Sequence, residues 1–224
     1  MRAGIRARAA VALLVLAGAA LAAPVATNPV MPPPDAGTPP PAVERMLHAL
    51  RGIVAARDVQ ALLAHVVDGT TWSFGGDHGH AGFRTMWREG DDLARFWAEL
   101  EQVLALPGRW EMSAEGASYC TPYVYCDALP PGLDPYDAMV VLGTGVALRA
   151  RPDAAAPALA RLDHAVLQRR QAADAPEGRV PVRTAAGLEG HVDARLVRSP
   201  VDYRLGIALD VDGGWHLEYF VAGD

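Results

Sequence analysis

The sequence of 224 residues contains no lysine, so arginine supplies all 20 of its basic side chains. Without lysine the chain cannot carry a phosphate-binding loop of the P-loop type, because that loop needs an ammonium group beside the nucleotide phosphates. The pattern G-x-S-x-G, which places a nucleophilic serine on a sharp turn, is missing around Ser73, Ser113 and Ser118. These absences exclude two common catalytic designs, and we predict no cofactor.

Positive charge is also scarce relative to negative charge. The chain has 26 acidic residues, and its formal net charge at pH 7 is −6. Loss of Arg2, Arg6 and Arg8 with an N-terminal leader would take the charge to −9. Because so acidic a protein is repelled by nucleic acid and by anionic membrane surfaces, we expect no nucleic-acid partner.

Long hydrophobic runs are confined to the N-terminus. Residues 9–23 are apolar, follow three arginines and end in Ala20-Leu21-Ala22, which is the layout of a secretory signal peptide over residues 1–23. The run is shorter than the roughly 20 residues that a membrane span needs. We therefore expect an exported protein, periplasmic or extracellular, with no stable membrane span after signal removal. An uncleaved N-terminal anchor is the alternative.

Cysteine is nearly absent, since Cys120 and Cys126 are the only two. An exported chain enters an oxidising compartment, which favours a disulfide over a reactive thiol. Bridged Cα atoms lie within about 7 Å, whereas six extended steps cover roughly 20 Å. The segment between the cysteines must therefore turn back, and Pro122 suits that turn. Tyr119 and Tyr123 are candidate ligand-binding residues here, with packing around the disulfide as the alternative.

Proline is concentrated just after the predicted cleavage site. Residues 24–41 form a Pro-rich linker that we expect to be extended and unpacked. Residues 42–136 then show the three–four spacing of buried helix faces, with Asp58 as the N-cap of a short second helix and strand-like segments further on. This pattern predicts a helix-rich α+β domain.

Helical periodicity disappears after residue 136. Residues 137–200 contain five or six short strand-like runs separated by glycines, which predicts a small β-barrel. Two stretches resemble the opening and the closing signatures of bacterial SH3 (SH3b) domains. The residues on the family's positions are Val146, Leu148, Arg149, Pro152, Leu159, Leu162, Gly190, Val192 and Leu196.

The SH3b resemblance carries an expectation about binding. His191 stands where the family usually has a tryptophan that helps line the ligand surface. The resemblance implies an SH3-like barrel that recognises cell-wall peptide, with Arg149 and His191 as candidate ligand-binding residues. The alternative is a passive spacer or an oligomerisation unit.

Residues 201–224 lie beyond the usual end of an SH3b domain. They predict a hairpin that turns through Asp212-Gly213-Gly214. An isolated hairpin is marginal in water, so we expect it to complete the domain of residues 42–136 and to make that domain discontinuous. This plan is similar to that of NTF2-like domains, whose last strand often carries a D-G-x-W turn.

One glycine-rich run offers metal-ligating side chains. In residues 73–83, Asp77, His78 and His80 provide a carboxylate and two imidazoles, which transition metals bind. A working site needs further ligands from elsewhere in the fold. The alternative is a surface turn that precedes the next helix.

These observations lead to three functional hypotheses. The first is a non-catalytic exported envelope protein whose barrel binds peptidoglycan or an envelope protein. The second is a hydrolase whose pocket has Asp77, His78 and His80 at its mouth. The third is a small-ligand-binding protein with its site in the α+β domain.

Overall fold

The structure is a computed structural model that describes residues 27–35, 39–114, 116–171 and 176–223. The predicted signal peptide, residues 1–23, lies outside the described residues. The described chain is mixed α+β with two separate sheets, which confirms the predicted fold class at that level. In the part of the chain that is described, no helix is long and apolar enough to cross a membrane.

The α-helices of the described residues precede the second sheet along the chain. They are α1 (Pro41–Ala56), α2 (Val59–Leu63), α3 (Gly79–Met86), α4 (Asp91–Leu104) and α5 (Tyr123–Cys126). The predicted N-cap of α2 is confirmed, because the Asp58 carboxylate accepts a hydrogen bond from the Ala61 N–H at 3.0 Å. Apolar side chains at helical spacing bury one face of α1 and of α4, where Leu50 and Phe96 are fully covered.

The strands are β1 (Val66–Thr71), β2 (Arg109–Ser113), β3 (Gly116–Thr121), β4 (Ala138–Val141), β5 (Val146–Arg149), β6 (Ala158–Leu162), β7 (Val166–Arg169), β8 (Arg179–Arg183), β9 (Glu189–Asp193), β10 (Val197–Arg198), β11 (Arg204–Asp210) and β12 (Trp215–Val221). A short 3-10 helix, Ala194–Leu196, separates β9 from β10.

The first sheet has five strands in the order β1-β12-β11-β3-β2. The C-terminal hairpin of β11 and β12 lies in the middle of this sheet, parallel to β1 on one side and antiparallel to β3 on the other. One face packs on the helices around a group of aromatic rings, in which Phe96 lies 5.2 Å from Phe83 and 5.3 Å from Phe220, edge to face. Burial of this face requires the hairpin, because Leu205, Ile207 and Phe220 belong to the same core.

The second sheet has seven antiparallel strands in the order β10-β4-β7-β8-β9-β5-β6. Its hydrogen bonds do not close into the expected barrel, since β10 and β6 remain at the two edges. Both edges nevertheless supply side chains to one core, in which Val197 of β10 and Leu162 of β6 are buried together with Val182. The sheet is therefore open in its pairing but curled around a shared core.

The two ends of the seven-stranded unit are adjacent. Its first strand, β4, pairs with its last strand, β10, through Val141 opposite Val197. The chain thus enters and leaves the unit at one place, which is the geometry that a unit inserted into another requires.

Part of the proline-rich segment is packed rather than extended into solvent. The Met31 N–H donates to the His164 carbonyl at 2.8 Å, and the Pro29 carbonyl accepts from the Val166 N–H at 2.8 Å. Met31 is 5% exposed and packs with Tyr123 and other buried side chains. Residues 29–31 are therefore packed against the fold, whereas the sequence predicted an unpacked linker. The reason is that the Met31 side chain is buried in an apolar site.

Candidate functional site

A cleft of about 650 Å³ opens at one end of the five-stranded sheet. It lies among β1, the loop that follows β1, α5, the segment before β4, and the start and end of the C-terminal hairpin. We call it the Arg204 cleft and define it by Phe74, Tyr125, Tyr136, Val201, Arg204 and Tyr219.

Strand alternation places Arg204 in this cleft. Along β11, Leu205 and Ile207 point to the helix-side core, so Arg204 and Gly206 face the opposite side of the sheet. Gly206 makes room for the Tyr219 ring, because a Cβ atom at position 206 would overlap that ring. The cleft is therefore on the sheet face away from α1, α2, α3 and α4, and α5 lies at its wall.

The Arg204 guanidinium is held between aromatic faces and the backbone. Its central carbon lies 4.4 Å from the centre of the Tyr125 ring and 5.4 Å from the centre of the Phe74 ring. One nitrogen, Nη1, donates to the Gly223 carbonyl at 2.6 Å. Arg204 is only 6% exposed, and its buried Nε–H has no hydrogen-bond partner among the described residues.

The described residues give Arg204 no carboxylate partner. Asp127 is the acidic side chain that lines the cleft, and Arg109 holds it through two hydrogen bonds of 2.6 and 3.0 Å. That bidentate pair raises the pKa of the Arg109 guanidinium. Within the described residues, the positive charge of Arg204 is thus offset by aromatic faces and one carbonyl.

Tyr219 adds a neutral hydroxyl to the cleft. Burial raises its pKa to about 12, the neighbouring Tyr125 and Glu218 add to that rise, and Arg204 opposes it. Tyr219 is consequently an uncharged phenol at neutral pH, able to donate or accept a hydrogen bond. The rings of Tyr125 and Tyr219 meet edge to face at 6.4 Å.

The candidate metal ligands each have a separate protein neighbour. The Asp77 carboxylate accepts from the Ser73 hydroxyl at 2.5 Å, His78 Nδ1 lies 3.3 Å from the Thr71 hydroxyl, and His80 Nε2 lies 2.9 Å from the Leu63 carbonyl. No three acidic, histidine or cysteine side chains of the described residues are grouped so as to hold a metal ion. The structure therefore lends no support to a metal site in this loop.

The same loop contributes to the cleft through a residue that the sequence pattern did not single out. Phe74 is 59% exposed and stands over the Arg204 guanidinium. The sequence signal for Phe74 was a phenylalanine directly before Gly75-Gly76. A turn of this kind does not need a large apolar side chain, so such a residue is a candidate for binding.

The predicted disulfide is confirmed, and the tyrosines around it are mostly buried. Cys120 and Cys126 are bonded, with 5.9 Å between their Cα atoms. Tyr119 packs in the core under the helices and Tyr123 packs beside Met31, so neither offers a face to a ligand. Burial raises the pKa of both phenols. The third tyrosine of the cluster, Tyr125, is the one that reaches the Arg204 cleft.

The two candidate residues of the SH3b resemblance lie opposite each other. Arg149 of β5 is paired with His191 of β9 in the sheet. The Arg149 guanidinium donates to the carbonyl of buried Ala156 at 2.6 Å and so supports the loop between β5 and β6. His191 is partly buried, and its Nδ1 has no partner among the described residues.

No protein-family model, no curated protein and no solved structure matches the chain. The SH3b-like and NTF2-like resemblances accordingly rest on the residues quoted above.

Proposed function

We propose that the protein is a non-catalytic exported binding protein whose α+β unit holds a small molecule in the Arg204 cleft. The observation that carries this proposal is an open cleft of about 650 Å³ with a buried arginine at its wall that has no carboxylate partner among the described residues. This volume is within the range of small-molecule sites, and mostly apolar walls with few polar groups are typical of them.

The side chains at the cleft favour binding over chemistry. Its described lining residues include aromatic rings, aliphatic side chains, Arg204, Asp127 and Thr71, with no serine, cysteine or histidine. His78 Nδ1 lies 3.3 Å from the Thr71 hydroxyl, but no carboxylate of the described residues holds that imidazole. Covalent hydrolysis usually requires a nucleophile, an adjacent base and a third group that orients the base. The confirmed disulfide supports export, because such bonds persist in oxidising compartments.

Filling the mouth of the cleft tests this function. Ala128 is exposed and lines the cleft, so Ala128→Trp should occupy the space and abolish binding of small aromatic and aliphatic compounds. Ala98→Trp, on the exposed side of α4, is the matched control and should bind like wild type. Ligand-detected NMR on a panel of charged and neutral compounds measures the effect. Equal binding by the two variants would place the ligand elsewhere.

A second candidate function is attachment to the cell envelope through the SH3b-like unit. Residues 138–200 contain nine arginines and six acidic residues, whereas residues 24–137 and 201–224 together contain eight arginines and twenty acidic residues. The unit is therefore basic within an acidic protein. Such a surface favours partners that carry carboxylates, as cell-wall peptides do.

A further inference from the structure

We infer that the ligand of the Arg204 cleft is a small aromatic monocarboxylate. This inference rests on the proposed function and adds the chemical class of the ligand. Three properties of the cleft lead to it: the charge of its buried cation, the Nε–H donor of that cation that has no partner among the described residues, and the exposed rings at its rim.

The cleft carries one uncompensated positive charge among the described residues, which favours a ligand with one negative charge. Arg204 is nine-tenths buried and has no ion pair among the described residues, and Arg109 already neutralises Asp127. A buried cation without a counter-ion is costly, because burial removes its hydration. One bound anion would remove that cost, whereas a dianion would leave a buried negative charge.

The donor geometry favours a planar anion. The guanidinium carbon lies over the Tyr125 ring at 4.4 Å and over the Phe74 ring at 5.4 Å, so these rings occupy part of the guanidinium surface. Nη1 is engaged by the Gly223 carbonyl, while Nε has no partner among the described residues. A carboxylate approaches an arginine edge-on and accepts two parallel N–H bonds, which suits this arrangement.

The rim explains why the rest of the ligand should be aromatic. Phe74, Tyr136 and Tyr125 are 59%, 52% and 40% exposed around the cleft. Exposed aromatic rings that converge on a cleft indicate a binding surface rather than a core. Flat rings pack on one another by offset stacking or edge to face, with a gain beyond simple burial.

Three probes separate the contributions of charge and ring. Titration calorimetry of the chain from residue 24 compares phenylacetate with phenylacetamide, its neutral isostere, and with cyclohexylacetate, its non-aromatic analogue. We expect phenylacetate to bind at least about tenfold more tightly than phenylacetamide, since a charged hydrogen-bonded pair is lost in the amide. We expect cyclohexylacetate to bind a few-fold more weakly than phenylacetate, because it cannot stack.

Variants assign the effect to the cleft. Arg204→Lys keeps the charge but lacks the planar donor edge, and should weaken phenylacetate about tenfold or more. Phe74→Ala changes an exposed side chain, so it should fold normally and weaken phenylacetate without changing the preference for carboxylate over amide. Circular dichroism checks the fold of each variant. If Arg204→Lys does not fold, the comparison of the probes and Phe74→Ala still decide the inference.

The outcomes distinguish the inference from the proposed function. Equal affinity for phenylacetate and phenylacetamide, with binding lost in Ala128→Trp, would overturn the carboxylate and leave the cleft as a small-molecule site. Phenylacetate binding that is unaffected by Ala128→Trp would overturn both. Residue 224 lies outside the described residues, so Asp224→Asn is titrated in parallel. Binding of phenylacetate only in that variant would show that the side-chain carboxylate of Asp224 competes for Arg204, and would also overturn the inference.

Discussion

Two buried arginines flank the segment between the sheets, and they differ in what surrounds their charge. Arg198 is 7% exposed and donates to the Tyr203 carbonyl at 2.6 Å. Burial lowers the pKa of Arg198, while the nearby carboxylates of Asp202 and Glu99 raise it. Arg204 has aromatic faces in place of such carboxylates. At the scale of single residues, Arg204 is therefore the arginine with room for an external anion.

Tyr219 should make stability depend on alkaline pH. Its pKa in the folded state is raised to about 12 from 10.0, chiefly by burial. The stabilising effect of the protonated phenol is complete below pH 10 and is lost as the pH rises to about 12, because the unfolded chain releases this proton first. Tyr219→Phe should therefore flatten part of the fall in stability over this interval.

Urea unfolding at several pH values from 8 to about 12 measures this effect, within the interval set by the two pKa values. Tyr136→Phe, at an exposed position of the same cleft, is the control. Because burial also raises the pKa of Tyr119, Tyr123 and Tyr203, some loss of stability should remain in Tyr219→Phe. An unchanged pH profile in Tyr219→Phe would contradict the prediction.

At the scale of elements, hydrogen bonds and close packing define the path of the loop after β1. The Trp72 indole N–H donates to the Gly79 carbonyl at 2.8 Å, and the Ser73 hydroxyl donates to Asp77 across the turn. Gly82 has no room for a side chain, because a Cβ atom there would meet the Asp77 backbone. These contacts fix the path of the loop and so hold Phe74 over Arg204.

The segment that contains Met31 is not a helix or a strand, and we expect it to stabilise the fold by burying the Met31 side chain. Met31 fills an apolar site formed by Tyr123, Val124, Val140 and Val166. Met31→Ala should lower the free energy of unfolding by about 2 kcal/mol, at the low end for a buried methionine because this segment can detach by itself.

Urea unfolding of the chain from residue 24 measures the effect of Met31→Ala. Val30→Ala is the matched control, since Val30 is 61% exposed and its loss should change stability by less than about 0.5 kcal/mol. Equal stabilities of the two variants would show that the segment does not contribute to folding in solution.

At the scale of the whole molecule, charge is divided between the two units. From the residue counts, residues 138–200 have a formal charge of +3, and residues 24–137 with 201–224 have −12. Several arginines of the basic unit pair with acidic neighbours, as Arg179 and Arg195 do with Asp193. Arg151 and Arg169 are exposed and form no ion pair with the described residues. An acidic partner should therefore meet these two first.

Charge reversal tests the proposed attachment to the cell envelope through the seven-stranded unit. Arg151→Glu and Arg169→Glu should each reduce co-sedimentation with purified peptidoglycan sacculi roughly two- to fivefold, because an exposed ion pair contributes up to about 1 kcal/mol. Arg45→Glu and Arg84→Glu make the same change on exposed sites of the acidic unit and should have a smaller effect. Equal losses in both pairs would indicate a net-charge effect without a specific surface.

A helix cap, a disulfide and the buried helix faces were predictable from the sequence, because each depends on interactions between residues that are close in sequence. Asp58 caps α2 through an N–H three residues away, and Cys120 and Cys126 are close enough in sequence that a turn brings them together. Helix periodicity likewise indicated the buried faces of α1 and α4. In each case the partners lie within a few residues, so their relative position hardly depends on the rest of the fold.

Tertiary structure alone decided the composition of the cleft and the shape of the second sheet. Phe74, Tyr125 and Arg204 are far apart in sequence and meet because the hairpin of β11 and β12 lies between β1 and β3. Alternation along β11 then selects which side chains face away from the helices. The alternating runs of residues 138–198 indicated strands, but closure into a barrel depends on whether the edge strands pair. Here β10 pairs with β4 and β6 pairs with β5, which leaves the sheet open around one core.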